Sequence, residues 1–167
     1  MRDEEDNREN ELVRVRALRE SDVGALVRID AEHSGRARPE YYRQKVRHAL
    51  ENTGVQISLV AEMDPAAGER ARDASSRKDG ALVGFLLGSV FFGDYGELEP
   101  VATLDAIGVA EGWGRKGVAT ALWRQFAKNV KAMRIERVQT HVAWENWELL
   151  GFLRSLSFVP APRLSLE

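Results

Sequence analysis

Thr103 to Phe126 reads TLDAIGVAEGWGRKGVATALWRQF, and three signals follow one another along it. A strand-like apolar run, Leu104 to Val109, comes first. A tight cationic loop punctuated by glycine follows, Gly112-Trp113-Gly114-Arg115-Lys116-Gly117. An amphipathic helix closes it, with Val118, Leu122, Phe126 and Val130 recurring every four residues on one face. A strand that feeds a glycine loop into a helix N-terminus aims unpaired backbone N–H groups at one point, where the helix dipole also favours negative charge. The stretch therefore predicts an anion site suited to phosphate, set between a strand and a helix of an α/β domain.

Two familiar phosphate loops fit this stretch poorly. The run Gly-x4-Gly-Lys-Ser/Thr is absent from the chain. Gly112, Gly114 and Gly117 do satisfy the dinucleotide spacing Gly-x-Gly-x-x-Gly. That fingerprint belongs to the first βαβ unit and wants an acidic residue about 20 positions on for the ribose. Here it lies two-thirds along the chain and is followed by the basic Lys128, Lys131, Arg134 and Arg137. A dinucleotide-binding fragment would bind NAD and show no affinity for CoA.

The stretch instead resembles motif A of the GNAT family of N-acetyltransferases. In that motif a strand ending in apolar-x-Val leads to Gln/Arg-x-x-Gly-x-Gly/Ala, whose backbone amides hold the pyrophosphate of acetyl-CoA. Here Ile107-Gly108-Val109 ends the strand and Gly114-Arg115-Lys116-Gly117-Val118-Ala119 occupies the loop. The first loop position is Gly114 in place of Gln or Arg, and the arginine sits one place later. Amides need only the right turn, so the backbone cradle tolerates the change. Arg115 and Lys116 are both candidates for the side chain on phosphate. The resemblance runs over roughly residues 12–167. It implies a mixed, mostly antiparallel α/β (α+β) sheet of about 6–7 strands with about 4 helices on both faces. It also implies acetyl-CoA held by Ile107, Gly108 and Val109 on the strand, by Gly114, Arg115, Lys116, Gly117, Val118, Ala119 and Thr120 in the loop and first helical turn, and by Asn146 on the pantetheine side.

Composition narrows the alternatives. A length of 167 residues gives one domain, large enough to bury about two-thirds of its unfolded surface. The net charge of −2 gives no global reason to expect a nucleic-acid partner. No cysteine is present, which excludes disulfides, cysteine nucleophiles and thiolate metal sites. His33, His48 and His141 lack paired metal-ligand spacing, so no metal is expected. Met1 begins an acidic, polar stretch unlike a signal peptide, and no apolar run reaches membrane-spanning length. The expectation is a cytoplasmic protein without membrane contact.

In chain order, residues 1–11 read as a disordered acidic tail and 12–167 as a single domain. Leu12 to Leu18 alternates apolar and basic residues, as a half-buried strand does. Ser21 and Asp22 are suitable N-caps for a helix bearing Val23, Leu26, Val27 and Asp30. Pro39 suits the first turn of a second helix with Tyr42, Val46, Ala49 and Leu50 on one face. The order strand–helix–helix matches the start of the resembled family, where the two helices wall the acceptor pocket. Gln56 to Met63 reads as a second strand, residues 64–80 as a mobile loop, and Ala81 to Phe92 as a bent central strand carrying Gly84 and Gly88. Gly93 to Pro100 is turn-rich, Ile135 to Val142 reads as a fifth strand, and Asn146 caps a fourth helix with Leu149, Leu150, Leu153 and Leu156 inward. Phe158-Val159 and Leu164 to Leu166 look like two short final strands.

Acyl transfer from a thioester to an amine needs an amine freed of its proton, from a reference pKa near 10, and a preorganised donor for the oxyanion. In the resembled family that donor is a backbone amide near Val109, where strands four and five part. Strand alternation puts Thr103, Asp105, Ile107 and Val109 on one face and Leu104, Ala106 and Gly108 on the other. Asp105, amid apolar neighbours, is the first candidate base, with a buried structural acceptor and an ammonium anchor as the other readings. Glu99, acting through a water, is the second candidate, and His141 on strand five the third unless it is a core residue. The family commonly carries Asn-x-x-Ala-x-x-x-Tyr before Gly-Phe. Counting from Asn146, those places hold Leu149, Leu153 and Ser157-Phe158. The tyrosine that would protonate sulfur is missing, so either another group such as Tyr95 does so or none does. Trp113, Trp123, Trp144 and Trp147 read as core or packing residues, with Trp144 and Trp147 alternatively lining the pantetheine or acceptor cleft. Arg36, Arg38, Arg43, Lys45 and Arg47 form a basic wall, read as a solvated helix face or as a surface that recruits an acidic partner.

The resulting expectation is an N-acetyltransferase that moves acetyl from acetyl-CoA directly to a primary amine through a ternary complex. A protein lysine or N-terminus is slightly favoured over a small amine, and a homodimer is what the resemblance suggests. The alternative is a catalytically weak acyl-CoA-binding sensor of the same fold.

Overall fold

The computed structural model describes residues 13–51, 57–63, 81–91 and 99–162. The elements run β1 (Val13–Ala17), α1 (Val23–Ser34), α2 (Pro39–Glu51), β2 (Leu59–Met63), β3 (Leu82–Phe91), β4 (Val101–Val109), α3 (Val118–Ala132), β5 (Val138–Gln139) and α4 (Trp147–Ser155), with a 3-10 turn at Glu20–Asp22. One sheet in the order β1-β2-β3-β4-β5 is antiparallel except for the parallel pair β4–β5. The expected mixed, mostly antiparallel sheet with four helices is therefore present, with five strands among the described residues. Phe158 and Val159 are not in a strand: Phe158 packs edge-on against Trp123, with ring centroids 5.2 Å apart. The proposed strand at Leu164 to Leu166 and the loop 64–80 lie outside the described residues.

Two apolar layers sandwich the sheet. Against one face packs α3, whose Val118, Leu122, Phe126 and Val130 stripe is buried with Ile57, Leu86 and Leu104. Each large side chain buried this way is worth roughly 1.5–3 kcal/mol of transfer free energy. Against the other face pack α1 and α2, with Leu26, Ile29, Tyr42 and Val46 around Val60, Phe85 and Leu87. The glycines of β3 let α3 approach closely. A Cβ on Gly84 would stand 2.7 Å from Val118 Cγ1, and one on Gly88 would stand 2.5 Å from Phe126 Cε2.

Asp22 starts α1 but makes no side-chain cap. Its buried carboxylate instead takes both terminal nitrogens of Arg16 at 2.8 Å and the Arg19 N–H at 2.8 Å, while Arg16 Nε reaches Glu62 at 2.5 Å. Burial pushes the Asp22 carboxyl up, but the bonds from Arg16 and Arg19 outweigh it and hold the group below the usual carboxylate range. Between α1 and α2, Asp30 accepts from Arg38 Nη2 at 2.5 Å and from the Tyr42 hydroxyl at 2.9 Å. Its carboxyl is likewise held low, chiefly by Arg38. These ties fix the two-helix wall to the sheet and to itself.

Candidate active site

The register of β4 changes at one residue. Leu87 faces Ala106 but Gly88 faces Leu104, so Asp105 is an extra residue, a β-bulge. The bulge resets the alternation predicted from sequence. Leu104, Ile107 and Val109 all pack on the α3 side, while Ala106 joins the α1/α2 layer and a Cβ on Gly108 would meet Ile29 and Phe85 there. Asp105 is exposed rather than buried among apolar neighbours. Its Oδ2 accepts from Ser89 Oγ at 2.8 Å, in a shallow cleft that Lys45 and His48 of α2 also line.

Just before the bulge β4 loses β5, while β3 stays paired with it as far as Val109. The parallel pairing with β5 covers only Ala102↔Val138 and Thr103↔Gln139, with Ala102 N–H on Arg137 O at 3.0 Å. Thr140 Oγ1 then donates to Leu104 O at 2.8 Å, and residues 140–143 follow no strand, in place of the fifth strand expected through Val142. On the other edge Ala110 N–H donates to Val83 O at 2.8 Å, which fixes the phase of the β3–β4 ladder. Antiparallel pairs alternate between bonded and unbonded, so Gly108 turns its peptide groups to β3, and Ile107 and Val109 turn theirs toward the edge that β5 has left. Two backbone N–H groups thus point into an open cleft.

The loop that follows is built from left-handed residues. Gly112 has φ 80°, Arg115 φ 58° and Gly117 φ 74°, the last as N-cap of α3 with no side-chain cap. Trp113 is half-buried against the α3 core, and its N–H bonds Ala110 O at 3.0 Å, which pins the loop. The amides of the first α3 turn have no carbonyl four residues earlier in the helix, so they face outward as an anion cradle. Lys116 Nζ lies 5.1 Å from the centre of the Trp113 ring. The Arg115 side chain is exposed and has no partner among the described residues. Gly114, Arg115, Lys116, Gly117, Val118, Ala119 and Thr120 are thus brought together at one end of the open β4 edge.

Other predicted residues fall out differently. Asn146 is the N-cap of α4, its Oδ1 accepting from Leu149 N–H at 3.1 Å, and it is exposed beside Trp144 and Trp147. Those two tryptophans are not core: they are 80% and 77% exposed. Leu153, at the missing tyrosine's place, is buried in the α3-side core and offers no proton. His141 is exposed, not an apolar-strand core residue, and Glu99 is exposed one residue before Pro100. Tyr95 lies outside the described residues. Among the described residues no His, Asp and Glu group is arranged to hold a metal ion, and no helix is long and apolar enough to cross a membrane.

Two residues at the end of α1 make long-range contacts that the sequence does not mark. His33 Nε2 lies 2.6 Å from Val109 O, and Glu32 Oε2 accepts from Glu111 N–H at 2.6 Å. No local pattern marks them, because their partners are 76 and 79 residues away. The combined geometry offers an anion cradle, a line of free backbone donors leading from it, and one carboxylate at the bulge.

Comparison with known proteins bears on the fold and the family. No functionally curated protein matches the sequence. Among solved structures, an aminoglycoside N-acetyltransferase in complex with CoA is similar with a TM-score of 0.70 at 15% identity, over 93% of each chain. An aminoglycoside 6′-N-acetyltransferase from Acinetobacter baumannii gives 0.70 at 17% identity, over 93% of this chain and 96% of that one. A ribosomal-protein-alanine N-acetyltransferase from Brucella melitensis gives 0.66 at 16%, over 93% and 98%. At these identities the likeness is one of fold. Residues 38–158, well over half of the chain, match the Acetyltransferase (GNAT) family. That match runs from the start of α2 through α4, and the chain belongs to the GNAT acetyltransferase family.

Proposed function

We propose that the protein moves the acetyl group of acetyl-CoA directly to a primary amine within a ternary complex. The observation that carries this reading is the open β4 edge at Ile107 and Val109, which leads straight into the loop and first turn of α3. The pyrophosphate of acetyl-CoA meets the amides from Arg115 to Thr120. Lys116 is packed on Trp113, so Arg115 is the side chain that reaches phosphate. The pantetheine arm lies along the edge that β5 vacates, with Asn146 beyond it, and the thioester carbonyl accepts from a free N–H at the end of β4, near Val109.

The chemistry then asks little of side chains. Asp105 takes the proton of the acceptor ammonium, whose reference pKa is near 10, directly or through a water. The amine attacks the carbonyl carbon, forming the C–N bond, and the tetrahedral oxyanion rests on the backbone donor. Collapse breaks the C–S bond, and the nitrogen gives its second proton to water, which leaves a neutral amide. The CoA thiol, with a reference pKa of about 8.5, leaves as a thiolate and needs no acid at Leu153. Protein amines, a lysine or an N-terminus, are favoured over small ones by the basic second helix. Two members of that wall are internally paired, Arg38 to Asp30 and Arg43 to Glu40, which leaves Arg36, Lys45 and Arg47 as its cationic part.

The buried leucine at position 153 also supports a second reading, a weakly catalytic acyl-CoA sensor. Mixing the protein with acetyl-CoA and a panel of amines, peptides and lysine-bearing proteins separates the two. Release of free CoA thiol with one acceptor supports transfer. Saturable acetyl-CoA binding with no thiol release from the whole panel supports the sensor.

A further inference from the structure

A shallow cleft lies between the C-terminal half of α2 and the β4 bulge. Lys45, His48 and Ala49 line it from α2, Leu87 to Phe91 from β3, and Asp105 from the bulge. Positions 45, 48 and 49 share one helical face, next to the Tyr42 and Val46 that bury against the sheet. The volume is about 80 Å³, so the cleft takes a reacting amine and its nearest substituent and leaves the rest of an acceptor outside.

Its polar groups differ in what already occupies them. Ser58 is buried, and its Oγ accepts the Gly88 N–H at 3.2 Å and donates to Gly88 O at 3.3 Å. Ser89 Oγ donates to Asp105 Oδ2 at 2.8 Å. An ionised carboxylate has about four lone-pair sites, so one hydroxyl leaves Asp105 able to receive an ammonium. On the basic wall Arg38 is paired with Asp30 and Arg43 with Glu40. Lys45 is not. It is half-buried, makes no ion pair among the described residues, and has its ammonium 5.8 Å from the centre of the Tyr41 ring.

Lys45 and Asp105 thus line one cleft with opposite charges that do not neutralise each other. A polyamine gains at Asp105 and is repelled at Lys45, whereas an acceptor with both charges gains at both ends. We propose that the acceptor amine carries a carboxylate close beside it, which Lys45 binds while Asp105 receives the ammonium. This rests on the reading of Asp105 as the base. Lys45 is then the residue that sets acceptor specificity, and two-point attachment fixes the approach of the nitrogen. A peptide N-terminus followed by an acidic residue and a free acidic amino acid share this chemistry.

The test measures acceptor binding to the complex with CoA, which has no acetyl group to transfer. Calorimetry compares the C-terminally amidated peptides Ala-Glu-Gly, Ala-Gln-Gly and Ala-Arg-Gly, and free glutamate, on native protein, Lys45→Met and Lys45→Glu. Native protein binds the Glu peptide about 10–100-fold more tightly than the Gln peptide, and the Arg peptide most weakly. Lys45→Met keeps the apolar stem and brings the Glu and Gln peptides within about twofold of each other. Lys45→Glu reverses the order of the Glu and Arg peptides. Thermal midpoints of both variants stay within about 2 °C of native protein. Glutamate binding at least as tightly as the Glu peptide supports a free amino acid as the acceptor, and weaker binding supports a peptide. Equal affinity of native protein for the Glu and Gln peptides overturns the proposal, as does a Glu preference that survives Lys45→Met. Binding of none of the probes overturns the cleft as the acceptor site. A Glu preference lost in Lys45→Met, but with no thiol released from acetyl-CoA, supports recognition by Lys45 and overturns transfer.

Discussion

Gly88→Ala adds one methyl group where the sheet meets α3, and the structure says what it meets. The new Cβ would stand 2.5 Å from Phe126 Cε2, 3.2 Å from Thr103 O and 3.3 Å from Ile57 Cδ1, against an ordinary contact of 3.4–4 Å. Phe126 is fully buried and cannot step aside, so α3 or β3 must shift by close to 1 Å. Overpacking of this kind costs about 1–3 kcal/mol, and the lower chain entropy of alanine offsets roughly 0.4–1 of that. The net expectation is a loss of about 1–2 kcal/mol, seen as a midpoint roughly 2–8 °C lower in a thermal melt. Gly151→Ala is the matched control. It lies inside α4, is exposed, and has nothing within 4 Å of its would-be Cβ. The same methyl group should there stabilise by about 0.5–1 kcal/mol through helix propensity alone. If both variants shift the midpoint the same way, the close approach of α3 to the β3 glycines is not what those glycines are for.

Three further outcomes concern the site and the ion pairs. Asp105→Asn should lower kcat/KM for the amine roughly 10²–10⁴-fold at neutral pH with an unchanged melt, because the side chain is exposed. Full activity in that variant would remove Asp105 from the chemistry. Arg115→Ala should weaken acetyl-CoA binding about 10–100-fold and flatten its salt dependence, with Lys116→Ala weaker in both respects, as titrations at two salt concentrations will tell. The Asp22 and Asp30 carboxyls both titrate below their ordinary range when folded. Their stabilisation is thus complete above the unfolded value near 4 and is lost as pH falls through the folded values. Melts from pH 7 down to pH 2 should show Asp30→Asn less stable than native protein at neutral pH and closing the gap in acid; a constant gap would argue that Arg38 and Tyr42 do not depend on that charge.

How much of this was legible in the sequence depends on how far the deciding contact lies along the chain. The α3 stripe, the glycine loop and the Asn146 cap are local patterns, and all three stand as read. The faces of β4 were misread because alternation assumes an unbroken ladder. One extra residue at Asp105 moves Leu104 to the side of Ile107 and turns the carboxylate out to solvent. The fifth strand shrank to Val138–Gln139 because an apolar run does not say how long its partner stays beside it. Trp144 and Trp147 are exposed since they flank a helix cap at the surface, a placement that residue type alone would have put in the core. The hold of His33 on Val109 has no sequence signature at all.

The central claim is that acetyl-CoA is anchored where the loop after β4 meets α3, and calorimetric titration of native protein and Gly117→Glu tests it most directly. Gly117 holds φ 74° at the mouth of the cradle, so glutamate there combines backbone strain with a carboxylate in an anion site. The native chain should bind with micromolar affinity and the variant not at all, with both still folded by circular dichroism. No binding by the native chain, or equal binding by the two, would contradict it.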